Sequence, residues 1–195
     1  MAAKTPNPAV MVGGYDGRQM KALLNFCNKK NTNSALHTPF FYNGKVFATD
    51  TYTFVMRDMS EGQKELIDND VCWSVPIDIF DKAPLVKDGY FIDKEGLLQK
   101  VGECNYYMND NSETLKPAVE SMLKLAELQG SDSEYTKQWY DPAFVERCCA
   151  VAKAFNLYGM NFEVVPCGNG LSILRVRFAQ DPYNTCIVIM AKRFS

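Results

Sequence analysis

Residues 36–58, LHTPFFYNGKVFATDTYTFVMRD, decide the fold. Leu36–Tyr42 is an apolar and aromatic run that stops at Asn43-Gly44. Both residues of that dipeptide tolerate positive φ, so the chain is expected to reverse there into Lys45–Thr49. A further run, Tyr52–Arg57, follows at once, and the three runs together read as antiparallel strands. Upstream, Pro8–Gly13 is a short strand candidate and Asp16 a cap for a helix over roughly 17–30. At about 100° per residue, Met20, Leu23, Leu24 and Cys27 share the side expected to face a core. Arg18, Lys21, Asn25, Asn28 and Lys29 share the opposite side, with no carboxylate among them.

The same order returns near the C-terminus. Asp141-Pro142 is a helix start, an N-cap followed by proline at the first helical position. The helix is expected to run to about Phe155, with Phe144, Val145, Cys148, Val151, Ala152 and Phe155 on one face and Glu146 and Lys153 opposite. Strands are expected at Asn161–Pro166, Leu171–Phe178 and Thr185–Ala191, the first two joined at Gly168-Asn169-Gly170. Tyr15-Asp16 and Tyr140-Asp141 stand 125 residues apart, as do Asn43-Gly44 and Gly168-Asn169, which points to an internal repeat. The expected fold is α+β, with antiparallel sheets, helices on one face and βαβββ repeats.

Between the repeats, residues 59–70 read as a polar acidic loop and Val71–Val75 as a strand. Pro76 would open a short helix through Ala83. Gly89–Ile92, Leu97–Val101 and Cys104–Met108 read as a meander. Ser112–Gln129 is helical, with Pro117 tolerable in its first turn, and 131–134 is a linker before a strand at Tyr135–Tyr140. The organisation expected is an N-terminal part over 1–110, an inserted helix and linker over 111–134, and a C-terminal unit over 135–195.

The chain has 195 residues, 47% hydrophobic and 23% charged, enough for a real core and too apolar for wholesale disorder. No stretch approaches the roughly 18 apolar residues of a spanning helix, and Met1–Val12 does not read as a secretory signal. Seven cysteines without a CxxC and a single histidine argue for reduced thiols in a cytoplasmic protein over a disulfide scaffold or a zinc site. The net charge of −2 hides segregation: residues 17–49 sum to +5, 50–146 to −11 and 147–195 to +4. Overall acidity argues against coating nucleic acid indiscriminately, while one positive face on a negative body remains open. Catalysis has little support. Cys148-Cys149 lies mid-helix with no histidine near in sequence, His37 reads as structural, and no phosphate-cradling glycine loop is present.

Three stretches resemble bacterial DNA sliding clamps. LHTPFFYNGKVFATDTYTFVMRD (36–58) is similar to the family's hairpin ending in an Ala/Gly-Thr-Asp step, here Ala48-Thr49-Asp50. CWSVPIDIFDKA (72–83) is similar to its Val-Pro entry to a second helix. The stretch from Tyr140 to Phe194 resembles its C-terminal unit, with Ala191-Lys192 where the family reads Pro-Met. The resemblance implies a non-enzymatic DNA processivity factor that needs no cofactor or metal and forms a homo-oligomer. It implies non-specific contacts to the backbone of double-stranded DNA from Arg18, Lys21, Asn25, Asn28, Lys29 and Lys30, and from Arg147 and Lys153. It further implies that Val188, Met190 and Arg193 help bind polymerase or repair-factor peptides. Tyr52–Arg57 or Thr185–Ala191 would serve as edge strands between protomers. The alternatives are an interaction module of the same fold without DNA binding, and a thiol-dependent enzyme using Cys148 or Cys149.

Overall fold

Asn43 and Gly44 take φ angles of 48° and 70°, the left-handed pair that a type I′ turn requires. They set β1 (Phe40–Tyr42) against β2 (Lys45–Thr49), so that Tyr42 faces Lys45 and Phe40 faces Phe47 with the two rings stacked at 5.5 Å. The structure is a computed structural model that describes residues 17–64, 70–74, 90–92, 98–100, 109–129, 139–168 and 171–191. The strands expected at 8–13 and 104–108, the Asp16 cap, and the helix after Pro76 lie outside these residues.

Among the described residues the α-helices are α1 (Gly17–Leu24), a single turn α2 (Glu61–Lys64) inside the expected acidic loop, α3 (Ser112–Glu127) and α4 (Pro142–Ala154). The further strands are β3 (Thr53–Asp58), β4 (Trp73–Ser74), β5 (Tyr90–Ile92), β6 (Leu98–Lys100), β7 (Asn109–Asp110), β8 (Tyr158–Gly168), β9 (Leu171–Ala179) and β10 (Cys186–Met190). β5 and β6 form a separate antiparallel pair. The other eight form one antiparallel sheet in the order β7-β4-β1-β2-β3-β10-β9-β8. Of the stretch expected as a strand before α4, Trp139 and Tyr140 are described, and they are not in one.

Within that order the six strands β1-β2-β3-β10-β9-β8 are symmetric about the β3–β10 junction. A helix followed by three strands occurs twice, and the last strands of the two units, β3 and β10, pair where the units join: Thr53 faces Ile189, Phe54 Val188, Val55 Ile187 and Met56 Cys186. This corrects the expectation that Tyr52–Arg57 or Thr185–Ala191 is an edge. Both are apolar at successive positions because both of their faces are covered, and the sheet ends instead at β7 and β8.

Two cores result. On one face α1 and α4 pack against each other and bury Leu23, Phe26, Cys148, Val151 and Phe155 on Val46, Ala48, Val55, Val176, Ile187 and Ile189. On the other, α3 buries Leu115, Val119, Met122 and Ala126 on Phe40, Phe47, Phe54, Met56, Ile173 and Val188. Alternation along β10 sends Cys186 and Val188 one way and Ile187 and Ile189 the other. The one-face arrangement thus describes the two repeat helices, while the inserted helix forms a layer of its own. It runs through Pro117, which stands exposed in its second turn instead of the first. At its far end Arg175 Nη1 donates to the carbonyls of Ala126 at 2.8 Å and Leu128 at 2.6 Å, and Arg177 to Ala126 at 3.2 Å. These arginines satisfy carbonyls that the end of a helix leaves open.

Candidate nucleic-acid interface

α1 stops at Leu24, well short of residue 30. Phe26 N–H bonds to Leu23 O at 2.9 Å and Cys27 N–H to Leu24 O at 3.0 Å, tightening the chain out of the helix. Asparagine side chains then capture the backbone. Asn28 Oδ1 accepts from Lys30 N, Asn31 Oδ1 from Asn33 N, and Asn33 Oδ1 from Ala35 N, all at 2.9–3.0 Å. Such local bonds compete with a helix. His37 Nε2 bonds to Asn31 O at 2.7 Å and so serves the same loop. Leu23 faces the core as expected, and Leu24 and Cys27 are half-buried and packed against it, whereas Phe26, which the spacing did not single out, is fully buried there; the Met20 side chain falls outside the described ones. Arg18, Lys21 and Asn25 are exposed on the helix and the turn that closes it, and Asn28, Lys29 and Lys30 are exposed on the loop that follows. On α4, Lys153 is exposed, with Glu146 exposed two turns away.

Arg147 is different. Its guanidinium donates to Asp50 Oδ2 at 2.5 Å and to Thr53 Oγ1 at 3.2 Å, and lies 5.1 Å from the Phe144 ring and 5.9 Å from that of Phe26. Asp50 also accepts from the backbone N–H groups of Tyr52 and Thr53. The arginine expected at a DNA-facing surface therefore ties α4 to the β2–β3 turn, because a buried carboxylate there needs a cation. The other unit repeats the device. Asp181 accepts from Tyr183 N at 3.0 Å and Thr185 N at 2.6 Å, and pairs with Arg57, which stacks on Phe155 and Tyr183 at 4.4 and 4.5 Å. The sequence carried this signal as Asp-x-Tyr at 50–52 and again at 181–183.

Beside the end of β10 lies an apolar cavity of about 650 Å³, lined by Tyr52, Phe144, Leu171, Met190 and Ala191 with Thr51, Asp141 and Ser172. Of the three residues expected to bind partners, Met190 is half-buried and lines it. Val188 is fully buried beneath α3 and so offers no surface, since its position on β10 points it into the second core. Arg193 lies outside the described residues. The Tyr140 hydroxyl and Ser172 Oγ are buried close together near this wall, with hydrogen-bonding geometry to no third group. Burial raises the Tyr140 phenol's pKa, and Ser172 offsets part of the rise.

The chain aligns over its whole length with a solved structure. It is the beta chain of DNA polymerase III from Streptococcus pneumoniae TIGR4, at 10% sequence identity and a TM-score of 0.47. The alignment covers 100% of this chain and 66% of that one. No family model matches the chain and no curated protein does.

Of the two thiols expected as an alternative nucleophile, Cys148 is fully buried and Cys149 half-buried. Burial pushes the Cys148 thiol up to about 12, with a further rise from Cys149, so at neutral pH it stays protonated. Burial pushes Cys27 up to about 12 and Cys72 to about 11. Among the described residues no three His, Cys, Asp or Glu side chains gather as a metal site, and no helix is long and apolar enough to cross a membrane.

Proposed function

We propose that this protein is a non-enzymatic, clamp-like DNA-associated protein that holds the duplex backbone loosely and tethers replication or repair factors. The observation that carries the reading is the sign of one surface. Arg18, Lys21, Lys29 and Lys30 are exposed along α1 and its following loop, and no Asp or Glu occurs anywhere in 17–49. Solvated helix faces ordinarily mix signs, and a one-sign face on an acidic protein is suited to phosphates. Asn25 and Asn28 add hydrogen-bond donors, and Lys153 extends the surface onto the neighbouring helix. Such contacts position a protein on DNA without reading its bases. Arg147 is not among them.

Partner segments would seat in the cavity at Met190. Its size is ordinary for a binding pocket, and the exposed Tyr52 ring at its rim supplies an apolar body with a polar tip. The same cavity favours the second reading, an interaction module of this fold without DNA binding. Fluorescence anisotropy on labelled duplexes of unrelated sequence separates the two. The first reading expects sequence-independent binding that weakens steeply with salt and is lost when Lys21, Lys29, Lys30 and Lys153 are changed together to Gln. Absence of binding at low salt by a folded protein refutes it and leaves the interaction module.

A further inference from the structure

Thr51, in the turn between β2 and β3, has a φ of 78°, in the left-handed region. The other non-glycine residues with positive φ among those described are Asn43, Asn156, Gln180 and Asn184, so Thr51 alone is β-branched. Asparagine visits this region at little cost, whereas branching at Cβ makes it strained. The surroundings impose the angle. Thr51 N donates to Thr49 Oγ1 at 3.0 Å, and Tyr52 N, Thr53 N and Thr53 Oγ1 all donate to Asp50 Oδ1. From β10, Met190 N donates to Tyr52 O at 2.9 Å, and from α4 Arg147 holds the other oxygen of Asp50. The Asp-x-Tyr turn of the second unit has Pro182 at its middle position, where the ring keeps φ negative. A branched residue at positive φ is therefore not what such a turn demands.

The Thr51 side chain does nothing for the turn that offsets the strain. It is exposed, and among the described residues its hydroxyl makes no hydrogen bond. It does line the cavity beside Met190, with Tyr52, Phe144, Leu171, Ser172 and Ala191. Strained backbone of this kind collects at ligand-binding surfaces. The chemistry of the wall narrows the occupant. Its polar side chains are the hydroxyls of Thr51, Tyr52 and Ser172 and the Asp141 carboxylate, which is engaged by Ala143 N at 3.0 Å. Ser172 Oγ is buried and lacks a hydrogen-bond partner, an unfavourable state until an occupant supplies one. An uncharged peptide segment fits, burying an apolar side chain and offering its amides to the hydroxyls.

We propose that Thr51 is the specificity-determining residue of this cavity: its branched side chain is kept against the backbone strain because it touches the bound peptide and limits which apolar side chain can enter. This rests on the cavity being the seat of partner segments and adds the residue that sets the choice. The test compares the full chain with Thr51→Gly and Thr51→Asn. Both replacements accept φ 78° without a branched Cβ, so their urea midpoints should stand at or above that of wild type. The binding probe is a pooled library of random heptapeptides displayed on phage and selected on each protein, with enriched sequences synthesised and titrated by fluorescence anisotropy. Wild type should enrich uncharged apolar peptides, and Ala191→Arg, folded by circular dichroism and filling the cavity from the end of β10, should release them. Thr51→Gly should admit larger side chains and reduce the wild-type preference at least about tenfold, the worth of small size differences in an apolar pocket. Variants less stable than wild type overturn the proposal, because the side chain then serves the turn. Stable variants with unchanged peptide preference overturn it too and leave the cavity as a seat. A wild type that enriches nothing, or peptides indifferent to Ala191→Arg, removes the cavity reading and the role of Thr51 with it.

Discussion

Arg147→Met separates a strut from a DNA contact. The substitution keeps an apolar stem against Phe144 and Phe26 and deletes the guanidinium. Asp50 retains its bonds from Tyr52 N and Thr53 N through Oδ1, but Oδ2 loses its cation. The two side chains are 28% and 11% exposed, between a surface pair of about 0–1 kcal/mol and a fully buried one whose breakage costs about 3–5 kcal/mol. With the lost ring contacts, worth about 0.5–1 kcal/mol together at this exposure, the expected cost is about 2 kcal/mol. Urea unfolding measures it, and anisotropy titration against salt on the same sample measures the contribution to DNA binding. If the guanidinium is held by Asp50, stability falls while the slope of log K against log salt does not change. Lys21→Gln should do the reverse, leaving stability within about 0.5 kcal/mol and lowering the slope by about 0.9. A variant of Arg147 that keeps its stability and loses a unit of slope would place the guanidinium on DNA instead of on Asp50.

Arg57 and Asp181 are more deeply placed, at 7% and 3% exposure, so Arg57→Met or Asp181→Asn alone should cost about 3–5 kcal/mol. The double variant should be markedly less destabilised than the sum, and additive urea midpoints would count against the pair. Arg175→Met leaves the Leu128 carbonyl at the end of α3 without its donor and the Ala126 carbonyl with Arg177 alone. A loss of about 2–3 kcal/mol is expected, together with faster amide exchange in the last turn of α3. The Cys148 and Cys27 thiols are raised from 9 to about 12 when folded. Above pH 9 the unfolded chain sheds those protons while the folded chain keeps them, so stability is intact below pH 9 and falls as pH rises toward 12. The slope is at most about 1.4 kcal/mol per pH unit for each thiol, and urea midpoints measured on either side of pH 9 give it, with Cys148→Ala flattening the curve.

Local chemistry was legible wherever a few adjacent residues suffice. Asn43-Gly44 forces its turn whatever surrounds it, and Asp141-Pro142 starts α4 with the Asp141 carboxylate accepting from Ala143 N at 3.0 Å. The end of α1 was misjudged because apolar spacing continues through Cys27 while asparagines 28, 31 and 33 pull the backbone into turns. The two Asp-x-Tyr turns were visible as text, but the arginine that each carboxylate takes is 97 or 124 residues away.

The antiparallel strands, the two repeat helices and the one-sign surface of α1 follow from local sequence, because turn geometry, capping and charge are properties of neighbours in the chain. Long-range packing settles that β3 and β10 join the two units, that α3 covers the opposite face and buries Val188, and that Arg147 pairs with Asp50. A strand flanked by two others and an edge strand can carry the same apolar pattern, and a side chain's charge does not reveal its counterion. What distinguishes them is which distant segments the two cores bring together.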